Sequence, residues 1–527
     1  MAERKVIRAD TSGQLSLFAD AIPVASPSGR LKTNARGVKF IDQDPQCCNI
    51  ELKKHLQLCG LQHVFLIDEM LREQDWSNFE SAYKAEGRPA YAPRSMVGLI
   101  LYGVMQGKSS LRDLERVARD SLGCIWIAGG AMPDHSVIGR FIQMHARQIT
   151  KEFFDSLLQS VLKHTGSNVE RTAGDATVVE AAASRYKTVR REALESQIEK
   201  AQQQLEQSEG CADTTEHQLK QDKARVDRLN KVEQVLAERE AKRKAQGKDS
   251  SRIMINSQEP DAFNQPLKRQ GYGASYKPGV IVNDKRIIIG HGVDASKEVS
   301  VALELLTQAC KHGTLHESSW DAGYHSEAML RQEQSLGVSL LIPAGSTCSP
   351  DWVKSNSKQY PKSRFSYDAS ADTYLCPAGE IMTLERQSDG NERTPAFKQY
   401  YTKACDTCQQ RDKCTKSKTG RRIKRYEADP LREAMQEKLK DESTRERYRK
   451  RAAWVEPVFS HLQLQQGLTR FRRKGIEGVR VEFALHALAF NIGRVVALKA
   501  RFIHILLIIR PFVAISLRPQ RVKISIA

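Results

Sequence analysis

Apolar residues recur every three or four positions through most of residues 50–165, the spacing of buried helix faces. In "RSMVGLILYGVMQG" the apolar face falls on Met96, Leu99, Ile100, Gly103 and Val104, and Gly107 is the expected stop. "SSLRDLERVARD" opens a second helix behind serine caps. "MPDHSVIGRFIQMHARQI" reads as a turn and a third helix. Asp134 or Ser136 caps it, and Val137, Phe141 and Met144 mark its inner face. Short helices, polar turns and basic side chains suit a helix-turn-helix-like DNA-binding module, and an ordinary helical bundle fits the pattern equally well.

The period then changes. In "RTAGDATVVEAAA" the run Thr177, Val178, Val179 favours a strand. Residues 187–247 are rich in Glu, Gln, Lys, Ala and Leu. Leu194, Ile198 and Leu205, then Val226, Leu229, Val232 and Val235, recur at helical spacing. A break near 210–214 predicts a solvated helical hairpin rather than one rod. "KPGVIVNDKRIIIGHGV" reads as a β-hairpin, and "SKEVSVALELLTQACKHG" as a helix ended by Gly313. "TLHESSWDAGYHSEAMLRQEQSLGVSLLIPAG" reads strand, Asp321, helix, strand. A hairpin followed by strand–helix alternation predicts an α/β class fold, a mixed sheet flanked by helices. Residues 346–425 turn polar, aromatic and Cys-rich, and the chain is helical and basic again from 427 to about 500.

Composition narrows the class. With 527 residues, 40% hydrophobic and 28% charged, the chain suits a folded protein of several domains. A net charge of +19 favours a polyanionic partner, most simply nucleic acid. The start, "MAERKVIRAD", has no apolar signal region. The late apolar run "FIHILLIIRPFVAISL" is interrupted by Arg510 and Pro511. Neither half reaches the roughly 20 residues of a span, so the expectation is a cytoplasmic protein with no membrane partner.

Carboxylates offer the first candidate chemistry. Ligand sites in open α/β sheets lie outside the carboxyl ends of strands, where Asp321 is expected. Asp175 lies in a strand-like segment, "GDATVVE". Neighbouring carboxylates bind hard cations such as Mg²⁺, and a third fixes two ions about 4 Å apart for in-line attack on a phosphodiester. The third candidate is Glu456 in "RAAWVEPVFSHL". Val455, Phe459 and Leu462 make an apolar stripe, and Pro457 places Glu456 near a helix start or kink. Taken singly, each acid is more often a helix cap or a solvated residue.

These three segments resemble those of DDE transposases of the IS1182 type, within the IS5/IS4-like insertion-sequence group. The likeness covers roughly residues 50–500. "YAPRSMVGLILYGVMQGKSSLRDLERVARD…MPDHSVIGRF" resembles the helical N-terminal domain. "GDATVVEAAAS" resembles the first Asp block, "WDAGYHS" with "LLIPAG" the second, and "RAAWVEPVFSHLQLQQGLTRFRRKG" with "ALHALAFNIGRV" the Glu block. The resemblance implies an RNase H-like fold, with Asp175, Asp321 and Glu456 as catalytic residues binding two Mg²⁺ (or Mn²⁺) ions. It implies cleavage and strand transfer at the terminal inverted repeats of a transposon. The partner is then double-stranded DNA, repeats and target alike, with a homodimer or higher oligomer on the DNA and a nucleoid-associated location. Arg451 and Arg470, Arg472, Arg473 and Lys474 of "RFRRKG" are expected to contact phosphates, and Tyr324 to orient Asp321 or the DNA. Two departures stand out. Related Glu blocks often carry a lysine where Gln463 stands, and the tail after about residue 500 is unlike the family. A catalytically impaired DNA-binding protein or repressor, and a metal-dependent nuclease without joining activity, are the alternative readings.

A second candidate is the pattern C-x28-C-x2-C-x5-C of Cys376, Cys405, Cys408 and Cys414. Four thiolates satisfy a tetrahedral Zn²⁺ site, and free cytosolic thiols are the equal alternative. "TGRRIKRY" sets Arg421 and Arg422 beside it, suited to DNA backbone. Cys47, Cys48 and Cys310 show no partner pattern. The expected organisation is a flexible basic arm (1–49) and a helical N-terminal DNA-binding domain (50–167). The core follows in two parts (168–345 and 427–500). The first carries the coiled-coil-like insertion 187–250, and a Cys-rich insertion (346–426) separates the two. An atypical tail (501–527) ends the chain.

Overall fold

The computed structural model describes residues 51–211, 213–267, 271–345, 359–390 and 395–516, with side chains to residue 500, and the backbone of short stretches between 30 and 42. The tail beyond 516 and residues 1–29, with Cys47 and Cys48, lie outside the described residues. The chain divides into two bodies: residues 1–167, 460–472 and 480–527, and residues 168–459 with 473–479.

The first body is helical. Its principal helices begin with α1 (Leu52–Leu58), α2 (His63–Arg72) and α3 (Pro93–Met105). They continue with α4 (Leu111–Asp120), α5 (Leu122–Ala128), α6 (His135–Met144) and α7 (Glu152–Thr165). Ser110 caps α4 through the Asp113 N–H, and Asp134 caps α6 by accepting from the N–H groups of Ser136 and Val137. α3 is buried almost all round, as its near-continuous apolar run requires. The inner face of α6 is Ile138, Phe141 and Ile142, whereas Met144, expected inside, is 45% exposed. The expected loose arm is not wholly irregular: Arg30–Thr33 and Lys39–Asp42 pair as an antiparallel hairpin.

The second body is built on a mixed sheet. Its strands are β1 (Arg171–Ala176), β2 (Tyr272–Asn283), β3 (Ile288–Asp294), β4 (Glu317–Ser319) and β5 (Ser339–Leu341). The order across the sheet is β3-β2-β1-β4-β5, with Val179–Glu180 and Phe263–Pro266 paired to the long β2. β2 is antiparallel to both neighbours, and β1, β4 and β5 are mutually parallel. Of the strand expected at Thr177–Val179, Val179 lies in the short strand Val179–Glu180, and Thr177 and Val178 fall in the break after β1. The apolar runs of β2, inside the sheet, and β3, at its edge, are buried along nearly their whole length.

Between Val179 and β2 stands a helical hairpin, α8 (Arg191–Gly210) and α9 (Glu216–Ala245). Leu194, Ile198, Ala201, Leu229, Val232 and Leu236 form its seam, and an Arg191–Glu240 ion pair at 2.7 Å ties its open end. α10 (Glu298–Lys311) and α11 (Glu327–Leu336) follow in the sheet region. A separate antiparallel sheet comes next: β6 (Ser366–Asp368), β7 (Thr373–Leu375), β8 (Ile381–Ser388), β9 (Phe397–Tyr401) and β10 (Ile423–Tyr426). α12 (Asp429–Lys438) and α13 (Glu442–Leu464) follow, then α14 (Gly475–Ser516). Within α14, Gly475–Ala500 is long and apolar enough to cross a membrane, but 72% of its most apolar window is buried within the protein, as in a core helix.

Candidate active site

β1 and β4 run parallel in register, Glu317 beside Arg171, Ser318 beside Thr172 and Ser319 beside Ala173. Carried two residues further, the same register sets Asp321 level with Asp175 at the carboxyl ends of neighbouring strands. Side chains alternate along a strand, so Gly174 and Trp320 share the opposite face. There the indole fills the space a Cβ on Gly174 would occupy, which would lie 2.2 Å from the ring. The indole N–H donates to Ser318 Oγ at 2.9 Å, and Thr172 donates to the same hydroxyl at 3.0 Å. Packing on one face therefore fixes the strand ends that carry the two acids on the other. The glycine before one aspartate and the tryptophan before the next were visible in the sequence as "GDA" and "WDA", but sequence reasoning passed over them.

Asp321 also caps the short 3₁₀ turn Ala322–Tyr324 by accepting from the Gly323 N–H at 2.8 Å. Asp175 accepts from the Ala176 N–H at 2.8 Å. Burial pushes the Asp175 carboxyl up to about 6 and the nearby Asp321 charge adds to this, while the Ala176 N–H and Arg451 oppose it. Arg451, on α13, reaches Asp175 at 3.5 Å. A guanidinium thus lies against Asp175, whose charge Asp321 opposes, which is where a hard cation would also be stabilised.

α13 is fastened to the sheet at three points. Arg447 donates to Glu317 at 3.0 Å, Arg451 meets Asp175, and Arg286 donates to the Ala453 carbonyl at 3.0 Å. The last contact has a covalent cause. Pro457, four residues on, has no N–H to give that carbonyl, and Arg286 supplies the missing donor from the β2–β3 turn, where its φ is +62°. Pro457 therefore lies inside a continuous 23-residue helix, not at a start. Tyr448 stands one turn before Arg451, half-buried, with its hydroxyl raised by burial and by both aspartates. Neither Tyr448 nor Arg286 was singled out from sequence, although a proline within an apolar helical stripe signals an orphaned carbonyl.

Asp175, Asp321 and Arg451 are thus brought together, and Glu456 is not. It is exposed, and five residues after Arg451 put it about 140° round the helix. Among the described residues, no group of three or more His, Cys, Asp or Glu stands close enough to hold an ion. Tyr324 is buried at 1% exposure against Trp320, and its hydroxyl has no hydrogen-bond partner among the described residues. It sits beside the carboxylates rather than on a surface DNA could touch. Arg470, Arg472 and Lys474 are exposed and Arg473 is half-buried, with Arg472 also donating to Ser109 at 3.1 Å.

The four cysteines of the Cys-rich segment line one cavity, with Arg421, Phe365 and Met382 among its walls. All four are free thiols. Burial raises the Cys414 thiol, the nearby Arg421 lowers it, and the other three cysteines raise it. Arg422 pairs with Glu385 at 2.9 Å and lies over the Tyr401 ring.

Two regions of the chain match known families, and neither match includes Asp175 or Asp321. Residues 375–496, which include the four cysteines and Glu456, match a family described as Transposase DDE domain. Residues 59–144, from the end of α1 to the end of α6, match a Transposase domain (DUF772). No curated protein matches the chain. A transposase DDE domain implies an enzyme that cuts DNA. The two domains together, in this order, are the arrangement typical of IS1182-type DDE transposases.

Proposed function

We propose that this transposase binds the terminal inverted repeats of an insertion sequence and cleaves and transfers their strands at a site on an RNase H-like core. One observation carries the reading: Asp175 and Asp321 lie level at the ends of adjacent parallel strands, beside Arg451. The all-oxygen donor set suits Mg²⁺ or Mn²⁺. When bound, two such ions would activate the attacking oxygen and stabilise the leaving one. Asp175 and Asp321 hold the acidic floor of the site, and Arg451 lowers the cost of their repulsion. Tyr448 and Tyr324 border the carboxylates. Glu456 serves as the third carboxylate only if α13 turns or bends at Pro457 on binding DNA and metal. The basic residues Arg470, Arg472, Arg473 and Lys474 take phosphates, with Arg421 and Arg422 partly engaged within the Cys-rich segment. The expected setting is the cytoplasm, on nucleoid DNA, as a homodimer or higher oligomer that joins two ends.

The test is cleavage and strand transfer on DNA carrying the element's terminal repeats, with Mg²⁺ or Mn²⁺, comparing wild type with Asp321→Asn. Equal activity in the variant sinks the assignment. The exposed place of Glu456 favours a second reading, a DNA-binding repressor with impaired catalysis. Repeat-specific binding without cleavage by the wild type selects it.

A further inference from the structure

The carboxylate site leaves the Cys-rich segment unexplained. Among the described residues its sheet, β6 to β10, has a small core of Phe365, Tyr374, Met382, Tyr400 and Ile423, with Tyr360, Tyr367, Cys376 and Cys414 packed against it. A core that small needs a covalent or metal staple to hold a single structure. We propose that Cys376, Cys405, Cys408 and Cys414 bind one Zn²⁺ as a structural tetrathiolate site, independent of the DNA-cutting chemistry.

Three observations carry the proposal. First, thiols from three separate turns face one cavity. Cys376 opens a tight turn after β7, where the Gly379 N–H donates to the Cys376 carbonyl at 2.9 Å and Gly379 takes a φ of +85°. Cys405 and Cys408 sit in the β9–β10 connection, and Cys414 ends its short helix Arg411–Cys414. Second, the cysteine backbone is already braced. Arg411 donates to the carbonyls of Cys405 at 3.3 Å and Lys418 at 2.6 Å, and its own N–H donates to Cys408 at 3.2 Å. Gly420, at φ +82°, brings the chain so close that an added Cβ would lie 2.8 Å from that of Cys405. Third, the buried Nε of Arg421, in the wall of the same cavity, has no hydrogen-bond partner among the described residues. A thiolate sulfur is the acceptor such a donor lacks.

The thiols are gathered without yet standing at ligand separation. The proposal requires the four side chains to converge as the ion binds. Four thiolates on one dication leave a net charge of −2, which the guanidiniums of Arg411 and Arg421 offset. Zinc suits this donor set because it binds sulfur tetrahedrally and has no redox chemistry of its own. Each thiol loses its proton on binding, so zinc uptake releases protons.

The test uses the full-length chain purified with reductant and without chelator. Elemental analysis should give about one zinc per chain, released by a mercurial with about four thiols. Replacing zinc by Co²⁺ should give the intense visible bands of tetrahedral thiolate coordination. Cys405→Ser with Cys408→Ser should lose both signals, and Cys310→Ser should lose neither. Because the double variant could fail to fold, Cys376→His is the second: it should keep the metal with a shifted Co²⁺ spectrum. A folded wild type without zinc or cobalt bands overturns the proposal. So does unchanged metal in the Cys405/Cys408 variant, an unshifted spectrum or lost metal in a folded Cys376→His, or a Cys405–Cys408 disulfide in place of the ion.

Discussion

The carboxylate pair and the cysteine cluster belong to the same body of the protein, yet they are held in opposite ways. Asp175 and Asp321 stand on strands whose register is set by backbone pairing and by a buried tryptophan seated on a glycine. Their positions come from a large core, and a cation there would add chemistry rather than structure. The four thiols stand on turns beside a small core, three of whose five buried residues are aromatic. There an ion would supply the structure itself. The contrast separates two uses of one kind of feature, a knot of metal-binding side chains: preorganised from outside, or self-organising once filled.

The sharpest break between the two is activity. Asp175→Asn should lower strand cleavage by on the order of 10³-fold or more, because a hard-cation site loses a charged ligand. Its zinc content should stay at the wild-type level. If metal analysis shows both falling together, the two sites are not independent. Stripping zinc, or the Cys405→Ser/Cys408→Ser change, should act in the reverse sense. Limited proteolysis within residues 359–426 should quicken by about 10²-fold, reflecting several kcal/mol of lost local stability. The sheet carrying the aspartates should keep its protease resistance.

A third change tests the outside support. Gly174→Ala drives a methyl into the Trp320 ring and should cost about 1–3 kcal/mol, read as a lower melting temperature. Cleavage should fall as well, since both aspartates are next in sequence to the clashing residues. Trp320→Leu in the same chain should destabilise by less than the sum of the single changes, because it removes the obstacle. Strict additivity in that cycle would show that the two residues do not set each other's position.

Legibility in the sequence divides along the same line. The cysteine spacing is local, so its chemistry could be read from one window. The β-hairpin, the helical hairpin and the caps at Ser110 and Asp134 were equally local, and they appear where patterning sets them. Asp175 and Asp321 lie 146 residues apart, with a hairpin and a helix between them. No period or spacing joins them, and only the family resemblance brought them together. Its reach stopped at Glu456. The stripe Val455, Phe459, Leu462 correctly marked a buried face, but the acid next to that stripe points away from it. Pro457 was expected to mark a helix start or kink, and it lies inside one continuous helix. Here a long-range donor, Arg286, satisfies the carbonyl it strands, and sequence carries no sign of that partner. Arg421 and Arg422 read as a basic strip suited to DNA backbone, yet cation–π and ion-pair contacts inside the small sheet engage them.

The smallest expected effect runs against intuition, since it makes a damaged enzyme more stable. In the metal-free protein the Asp175 carboxyl is raised from 3.8 to about 6, chiefly by burial. The folded state therefore holds this proton more tightly than the unfolded chain. The stability that goes with it is fully present below pH 3.8 and is lost as the pH rises through 6. Above that, wild type carries a half-buried charge that Asp175→Asn lacks. The variant should be more stable than wild type at pH 7 by about 1–2 kcal/mol, less than the full displacement because Arg451 loses its partner. The difference should close as the pH falls toward 4. Denaturant melts at pH 4 and pH 7 without divalent ions measure it. Added Mg²⁺ should narrow the gap at pH 7 by stabilising the wild type alone. A gap of the same size at both pH values would mean that the carboxylate is not strained. In that case Arg451, rather than burial, sets the charge of the site.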